Sequence, residues 1–210
     1  MERLAYIRSP THTFLMIPED IKFTVITRTS GRPKFFAECR RSVITQSAQA
    51  YHLVGYDNTD DTYPVGDEVV YLDAAIGRGH NLYFNTLRHH VPKTHPWIIF
   101  LDDDDKFMRA DALHLIRAAI RSYDDMVLWR IDFGGGRLVP GSIGLPPAAG
   151  GVSGIGFCYN VKNWVSWPGM PYGDFFVISQ LYNSLNPVWL PEVLTGLQAE
   201  PGGGKRQDLK

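Results

Sequence analysis

Cysteine is scarce in this chain. Only Cys39 and Cys158 occur in 210 residues, too far apart for a C-x-x-C metal or redox motif and too few for a disulfide framework. A reducing, cytoplasmic setting is the default expectation. An excess of charge is also lacking, with 21 Lys and Arg against 22 Asp and Glu. Such a balanced chain projects no long-range positive field, which argues against nucleic acid as a partner. No stretch approaches roughly 18 uninterrupted apolar residues, and M1-ERLAYIRSPTHTF has no apolar core of signal-peptide length. A soluble, non-secreted protein with no transmembrane segment is expected. Phosphate-binding loops are missing too: there is no G-x-x-x-x-G-K-[ST], and no strand leads into G-x-G-x-x-G. G134-G-G136 lacks that spacing and reads as a turn. His89 and His90 are neighbours on a predicted helix and face different directions, so they offer no ligand pair.

What the chain does have is apolar content, 44% of residues, enough for one domain with a real core. F23-TVIT27, Y51-HLVGY56, E68-VVYL72, W97-IIFL101 and M126-VLWRI131 read as strands. Between them, Lys34–Gln46 carries Phe35, Phe36, Cys39, Val43 and Ile44 at helical spacing behind Pro33, a good first helical residue. N81-LYFNTLRHH90 and R109-ADALHLIRAAIRSY123 are further predicted helices. Strands alternating with helices through about residue 131 predict an α/β fold with a mainly parallel central sheet flanked by helices. Beyond that, G134-GGRLVPGSIGLPPAAGG151 reads as a loop or hairpin excursion, and F175-FVISQLYNSL185 as a helix. The tail E200-PGGGKRQDLK has linker composition, so the chain is expected to be one domain of a longer multidomain protein.

The segment W97-IIFL-DDDD-K106 places four acids behind a strand apolar on both faces, as strands inside a parallel sheet are. In open parallel sheets, ligands gather beyond the carboxyl ends of the strands. If the segment stays extended, Asp102 and Asp104 share one side and Asp103 and Asp105 the other. Two same-side carboxylates make a hard-oxygen site for Mn²⁺ or Mg²⁺, and the cation relieves their repulsion. The alternative is a solvated acidic turn capping the helix that starts near Arg109. A calcium loop is excluded, because the fifth position holds Lys106 or Phe107 where a further oxygen ligand is required.

In order, F23-TVITRTSGRPKFFAECRRSVITQ46, H52-LVGYDNTDD61 and I98-IFLDDDD105 resemble the inverting family-2 glycosyltransferases of the GT-A fold. The resemblance covers residues 23 to 125, with a further patch near 174, and extends to capsid-decorating glycosyltransferase domains of large, chlorella virus-like DNA viruses. It implies transfer of a sugar from a nucleotide-diphospho-sugar to a glycan or glycoprotein acceptor hydroxyl, with inversion. UDP is the first expected carrier and deoxythymidine diphosphate the second. It implies one domain over residues 1–200, with a nucleotide-binding half of about 20–131 and an acceptor half of about 132–200; residues 201–210 follow as linker. For a viral protein, the compartment would be the host cytoplasm.

Position by position, the resemblance assigns Thr27, Arg28 and Thr29 to the cradle of base and ribose. Asp57 takes the place of the carboxylate facing a pyrimidine N–H, although the family has two adjacent acids where this chain has Tyr56-Asp57. Arg78, in I76-GRGHN81, matches a basic position that holds nucleotide or phosphate. Asp104 is the first expected metal ligand. Asp102 is expected at the metal or the ribose, Asp103 at the ribose, and Asp105 as a cap of the next helix. Asp174, after Pro171-Tyr-Gly173, matches the carboxylate that takes the acceptor proton; a structural helix cap is the alternative. Trp164, Trp167 and Tyr172 could stack on an acceptor sugar or pack in the core. Two other readings remain open: a nucleotidyltransferase, which would release pyrophosphate, and a non-catalytic nucleotide- or carbohydrate-binding module.

Overall fold

The computed structural model describes residues 21–57, 62–73, 81–144, 155–170 and 173–198. The elements run β1 (Phe23–Thr29), α1 (Pro33–Ile44), β2 (Ala50–Tyr56), β3 (Glu68–Tyr71), α2 (Leu82–Leu87), β4 (Trp97–Phe100), β5 (Asp105–Phe107) and α3 (Ala112–Ala119). They continue through β6 (Asp125–Asp132), β7 (Leu138–Val139), β8 (Ile155–Asn160), α4 (Gly173–Ser184) and β9 (Asn186–Leu197). Among the described residues nine strands form one sheet, ordered β3-β2-β1-β4-β8-β6-β9-β5, with β7 paired to β6.

The α/β class holds. β3, β2, β1 and β4 are mutually parallel, and β6 is parallel to β9. β8, which the sequence pattern did not reveal, runs antiparallel between β4 and β6. Alternation along the strands sorts side chains onto two faces. Trp97 and Ile99 pack with Cys39, Val43 and Ile116 under α1 and α3. Ile98 packs with Phe84, Leu87, Val177 and Ile178 under α2 and α4. Coverage on both sides is why β4 is apolar throughout; Trp97, Ile98 and Ile99 are essentially inaccessible.

Local chemistry sets the helix ends. Pro33 supplies the fixed φ of a first helical turn in α1, and Phe36, Cys39 and Val43 form its buried stripe. α3 is shorter than the predicted Arg109–Tyr123 helix. Arg109 is held by Asp111 ahead of the first turn, and Ile120 is already extended at φ −72°, ψ 130°. The Gly-rich excursion begins as a hairpin, with Leu138 and Val139 pairing Asp132 and Ile131. Cys39 and Cys158 are both free and buried.

Candidate active site

The register between β1 and β4 builds the centre of the site. Ile26 lies opposite Phe100, so Arg28 and Asp102, each two residues further on, emerge side by side at the carboxyl edge. Arg28 binds Asp102 through two bonds, Nε to Oδ1 at 2.8 Å and Nη2 to Oδ2 at 2.9 Å. Its third nitrogen, Nη1, donates to Asn81 Oδ1 at 2.9 Å, and the guanidinium lies 4.7 Å from the Phe84 ring centre. Burial disfavours the charged form of Arg28, but Asp102, Asp103 and Asp104 outweigh that cost and raise its pKa.

The four acids do not continue the strand. The Asp105 backbone N–H donates to Asp102 O at 2.9 Å, closing a turn, and β5 then leaves antiparallel to β9. The expected alternation of side chains across an extended segment is therefore replaced by a turn. Asp103 points inward and is fully enclosed, accepting from Thr29 Oγ1 at 2.7 Å and from Arg32 Nε at 3.1 Å. Arg32 also reaches Asp104, Nη1 to Oδ2 at 2.9 Å. Asp105 does not cap a helix: it opens β5, and the residue at the N-cap of α3 is Asp111. The Asp105 Oδ1 atom is buried with no hydrogen-bond partner. Much of the compensation that four adjacent carboxylates need is thus supplied by Arg28 and Arg32.

Burial pushes Asp103 up to about 7, against the pull of Arg32 and Thr29. Burial likewise raises Asp104 and, more strongly, Asp105, with the neighbouring acids adding to both shifts.

The other predicted residues fall into distinct places. Thr27 is buried inside the sheet. Arg40 must donate to His52 Nδ1, so His52 carries its proton on Nε2 and donates to Thr27 Oγ1 at 2.9 Å. Burial and Arg40 lower the His52 pKa to about 3, which keeps the ring neutral. Thr29 is 4% exposed and bonds Asp103 and the Tyr63 hydroxyl. Both hydroxyls are engaged within the protein: Thr27 ties β1 to His52 of β2, and Thr29 holds Asp103 of the acid turn. Asp57 follows β2 and accepts from Tyr83 Oη at 2.9 Å. Arg78 and Tyr172 lie outside the described residues.

Asp174 stands in the first turn of α4, where a helix favours negative charge. It lines a cavity of about 290 Å³ together with Arg28, Asn81, Asp102, Asp105 and Trp167. Burial raises its pKa, the Phe175 backbone N–H pulls the other way, and Asp102 adds to the rise. Trp167 is 4% exposed and packs 4.6 Å from Phe84 and 4.9 Å from Phe100 between ring centres, with its edge on the cavity. Its backbone is fixed by Asn85, which both donates to Trp167 O and accepts from Trp167 N. Trp164 packs on Phe100 and under Arg88. Sequence pattern marked none of Arg32, Asn81 and Tyr63 as members of the site, and it placed Asp105 at a helix cap rather than on the cavity. Their partners lie far along the chain; Arg28 and Asn81, for instance, are 53 residues apart.

Among the described residues no three ligating side chains converge on one point. Asp102 and Asp104 are nonetheless more accessible than Asp103, with side chains 36% and 21% exposed against 0%. Both offer oxygens of the kind Mg²⁺ or Mn²⁺ takes, with Arg28 engaging both oxygens of Asp102 and Arg32 one of Asp104.

No protein-family model matches the chain, and no curated protein matches it in sequence. Solved structures do. Staphylococcus aureus TarS 1-349 superposes with a TM-score of 0.69 at 18% identity, covering 84% of this chain and 60% of that one. A longer TarS structure gives 0.68 at 19% identity, over 86% of this chain and 37% of that one. TarS 1-349 in complex with UDP-GlcNAc gives 0.68 at 16% identity, over 88% and 61%. The chain therefore spans about three fifths of TarS 1-349. No helix among the described residues is long and apolar enough to cross a membrane. At this level of identity the likeness establishes architecture: the chain has the GT-A fold.

Proposed function

We propose that this chain is a glycosyltransferase that takes a sugar from a nucleotide-diphospho-sugar, with UDP as carrier, and passes it to an acceptor hydroxyl with inversion. The observation that carries this reading is the placement of Asp102 and Asp174 on one cavity although 72 residues separate them in the sequence. At about 290 Å³ the cavity sits near the lower end of the roughly 300–1,000 Å³ of small-molecule pockets, a size for one sugar ring rather than a whole donor. Crystals of TarS 1-349 with UDP and with UDP-GlcNAc support the choice of carrier.

In this mechanism the acceptor oxygen attacks the anomeric carbon from the side facing Asp174. The bond from that carbon to the diphosphate oxygen breaks, UDP departs, and the hydroxyl proton passes to an Asp174 carboxylate oxygen. A carboxylate whose pKa is raised by burial is a better base for this step than an exposed one. Arg28 keeps Asp102 oriented, and the aromatic wall of Phe84, Phe100 and Trp167 excludes water from the sugar. Asp104, with Asp102, would hold Mn²⁺ or Mg²⁺, which supplies positive charge for the departing diphosphate. The acceptor is a glycan or glycoprotein hydroxyl.

The test is UDP release from a panel of UDP-sugars, UDP-GlcNAc first, with and without Mn²⁺. Asp174→Asn is expected to keep UDP affinity within about twofold and to lose transfer by about a thousandfold or more, the scale set by general-base and positioning losses together. Normal transfer by Asp174→Asn would remove Asp174 from the mechanism. Pyrophosphate release from a nucleoside triphosphate would replace the reading with nucleotidyl transfer.

A further inference from the structure

Asn81 ends the segment before α2, yet its side chain reaches between two parts of the site that come from distant stretches of sequence. Its Oδ1 accepts from Arg28 Nη1 at 2.9 Å, and Arg28 in turn grips Asp102. Its amide nitrogen lies on the other side, 3.5 Å from Met170 O, ahead of α4. There it faces Gly173, the buried residue directly before Asp174. A Cβ placed on Gly173 would stand 2.6 Å from Asn81 Nδ2 and 3.0 Å from Pro168 O. Real Cβ atoms do not approach that closely, so the absence of a side chain at 173 is what lets α4 start against Asn81. Asn81 and Asp174 line the same cavity.

We infer that Asn81 is a positioning residue that fixes the start of α4, and with it Asp174, relative to the Arg28–Asp102 pair. This rests on the glycosyl-transfer reading of the site. One carboxamide spans the space between the donor-side acid and the base, and Gly173 is the complementary gap that admits it. The contact sets where the Asp174 carboxylate stands when an acceptor hydroxyl arrives. Its Oδ1 is engaged by Arg28, so its loss is expected to bear on the placement of Asp174 more than on holding UDP. Misplacing a base by about 1 Å can cost on the order of a hundredfold in rate, so loss of this link belongs in turnover rather than in donor affinity.

The experiment uses the full chain with Asn81→Ala, Gly173→Ala and the double variant. UDP binding is read by calorimetry, UDP release from UDP-sugars by steady-state kinetics, and stability by urea unfolding. Asn81→Ala is expected to lower kcat at least about tenfold with UDP affinity changed less than about twofold. Gly173→Ala should do the same, and the double variant should be no worse than Gly173→Ala alone, because removing the carboxamide relieves the closer of the two contacts and leaves the 3.0 Å approach to Pro168 O the same in both. Additive losses in kcat, or a kcat for Asn81→Ala within about twofold of the parent, would overturn the inference. If the parent releases UDP from no UDP-sugar, the glycosyl-transfer reading falls. The urea cycle then still judges the contact, and additive stabilities of the two substitutions would overturn it.

Discussion

Replacing Arg28 with Met removes the cation that holds Asp102 and leaves a nearly isosteric stem against Phe84. The two bonds to Asp102 are 2.8 and 2.9 Å long and charge-assisted, and the bond to Asn81 goes with them. Such bonds contribute about 1.5–3 kcal/mol when buried. Here the side chains are 23% and 36% exposed, so solvent screens the pair and about 2 kcal/mol is the reasonable figure for their coupling. The assay is a double-mutant cycle of Arg28→Met and Asp102→Asn in urea, followed by circular dichroism and by fluorescence of the buried Trp97, Trp129 and Trp167. Arg28→Met alone is expected to cost more than the coupling, since it leaves Asp102 beside three further acids with one guanidinium instead of two. Asp102→Asn should relieve part of that loss in the double variant. A coupling below about 0.5 kcal/mol would mean that the bidentate pair is a surface ion pair of the weak kind, and the account of charge compensation would fail.

Three further outcomes follow from the same structure. Asp103 titrates near 7 when folded against roughly 4 when unfolded, and Asp104 and Asp105 shift the same way. Between those values the unfolded chain has lost protons that the folded one retains, so these groups make stability fall as pH rises from about 4 to about 7. Urea midpoints across that range should fall less steeply for Asp103→Asn than for the parent; equal slopes would refute the assignment. Gly156→Ala places a Cβ 1.9 Å from Trp129 Nε1, in a strand buried between two others, and should cost at least about 3 kcal/mol or prevent folding. A stability within about 0.5 kcal/mol of the parent would show that Trp129 can move aside. UDP with Mn²⁺ at about 100 times its Kd should stabilise the parent by about 2.7 kcal/mol, and the gain contributed by Mn²⁺ should vanish in Asp104→Ala. Persistence of that gain would exclude Asp104 as a ligand.

The first half of the fold was legible because its signals are local. β1, β2 and β4 are short apolar runs, α1 has Pro33 and a buried stripe, and the acids follow β4 directly. β8 and β9 were hidden for physical reasons. Gly156 has no side chain to contribute to a pattern, and the Trp129 ring fills the space a side chain would need. β9 contains Pro187 and Pro191, which ordinarily argue against a strand, and its pairing with β6 is interrupted at Arg130. The site divides the same way. Asp102 and Asp174 could be picked out from their neighbours in sequence. Arg32 and Asn81 could not, since what gives them a role is a partner 53 to 72 residues away. The turn at Asp102–Asp105 was missed because four identical residues carry no signal of where the chain bends.

The two guanidinium clamps have a consequence for ligand capture. A loose acidic loop would lose backbone and side-chain freedom each time a donor arrived, and affinity would fall by that amount. Here Arg28, Arg32 and Thr29 hold the acid turn as the domain folds, so under the proposed function the loss would fall once per folding event and not once per turnover. If the proposed glycosyl transfer holds, a donor would meet carboxylates already in position. Its selectivity would then be decided by how well it fits a fixed arrangement, and closely related nucleotide-sugars should differ in dissociation rate more than in association rate.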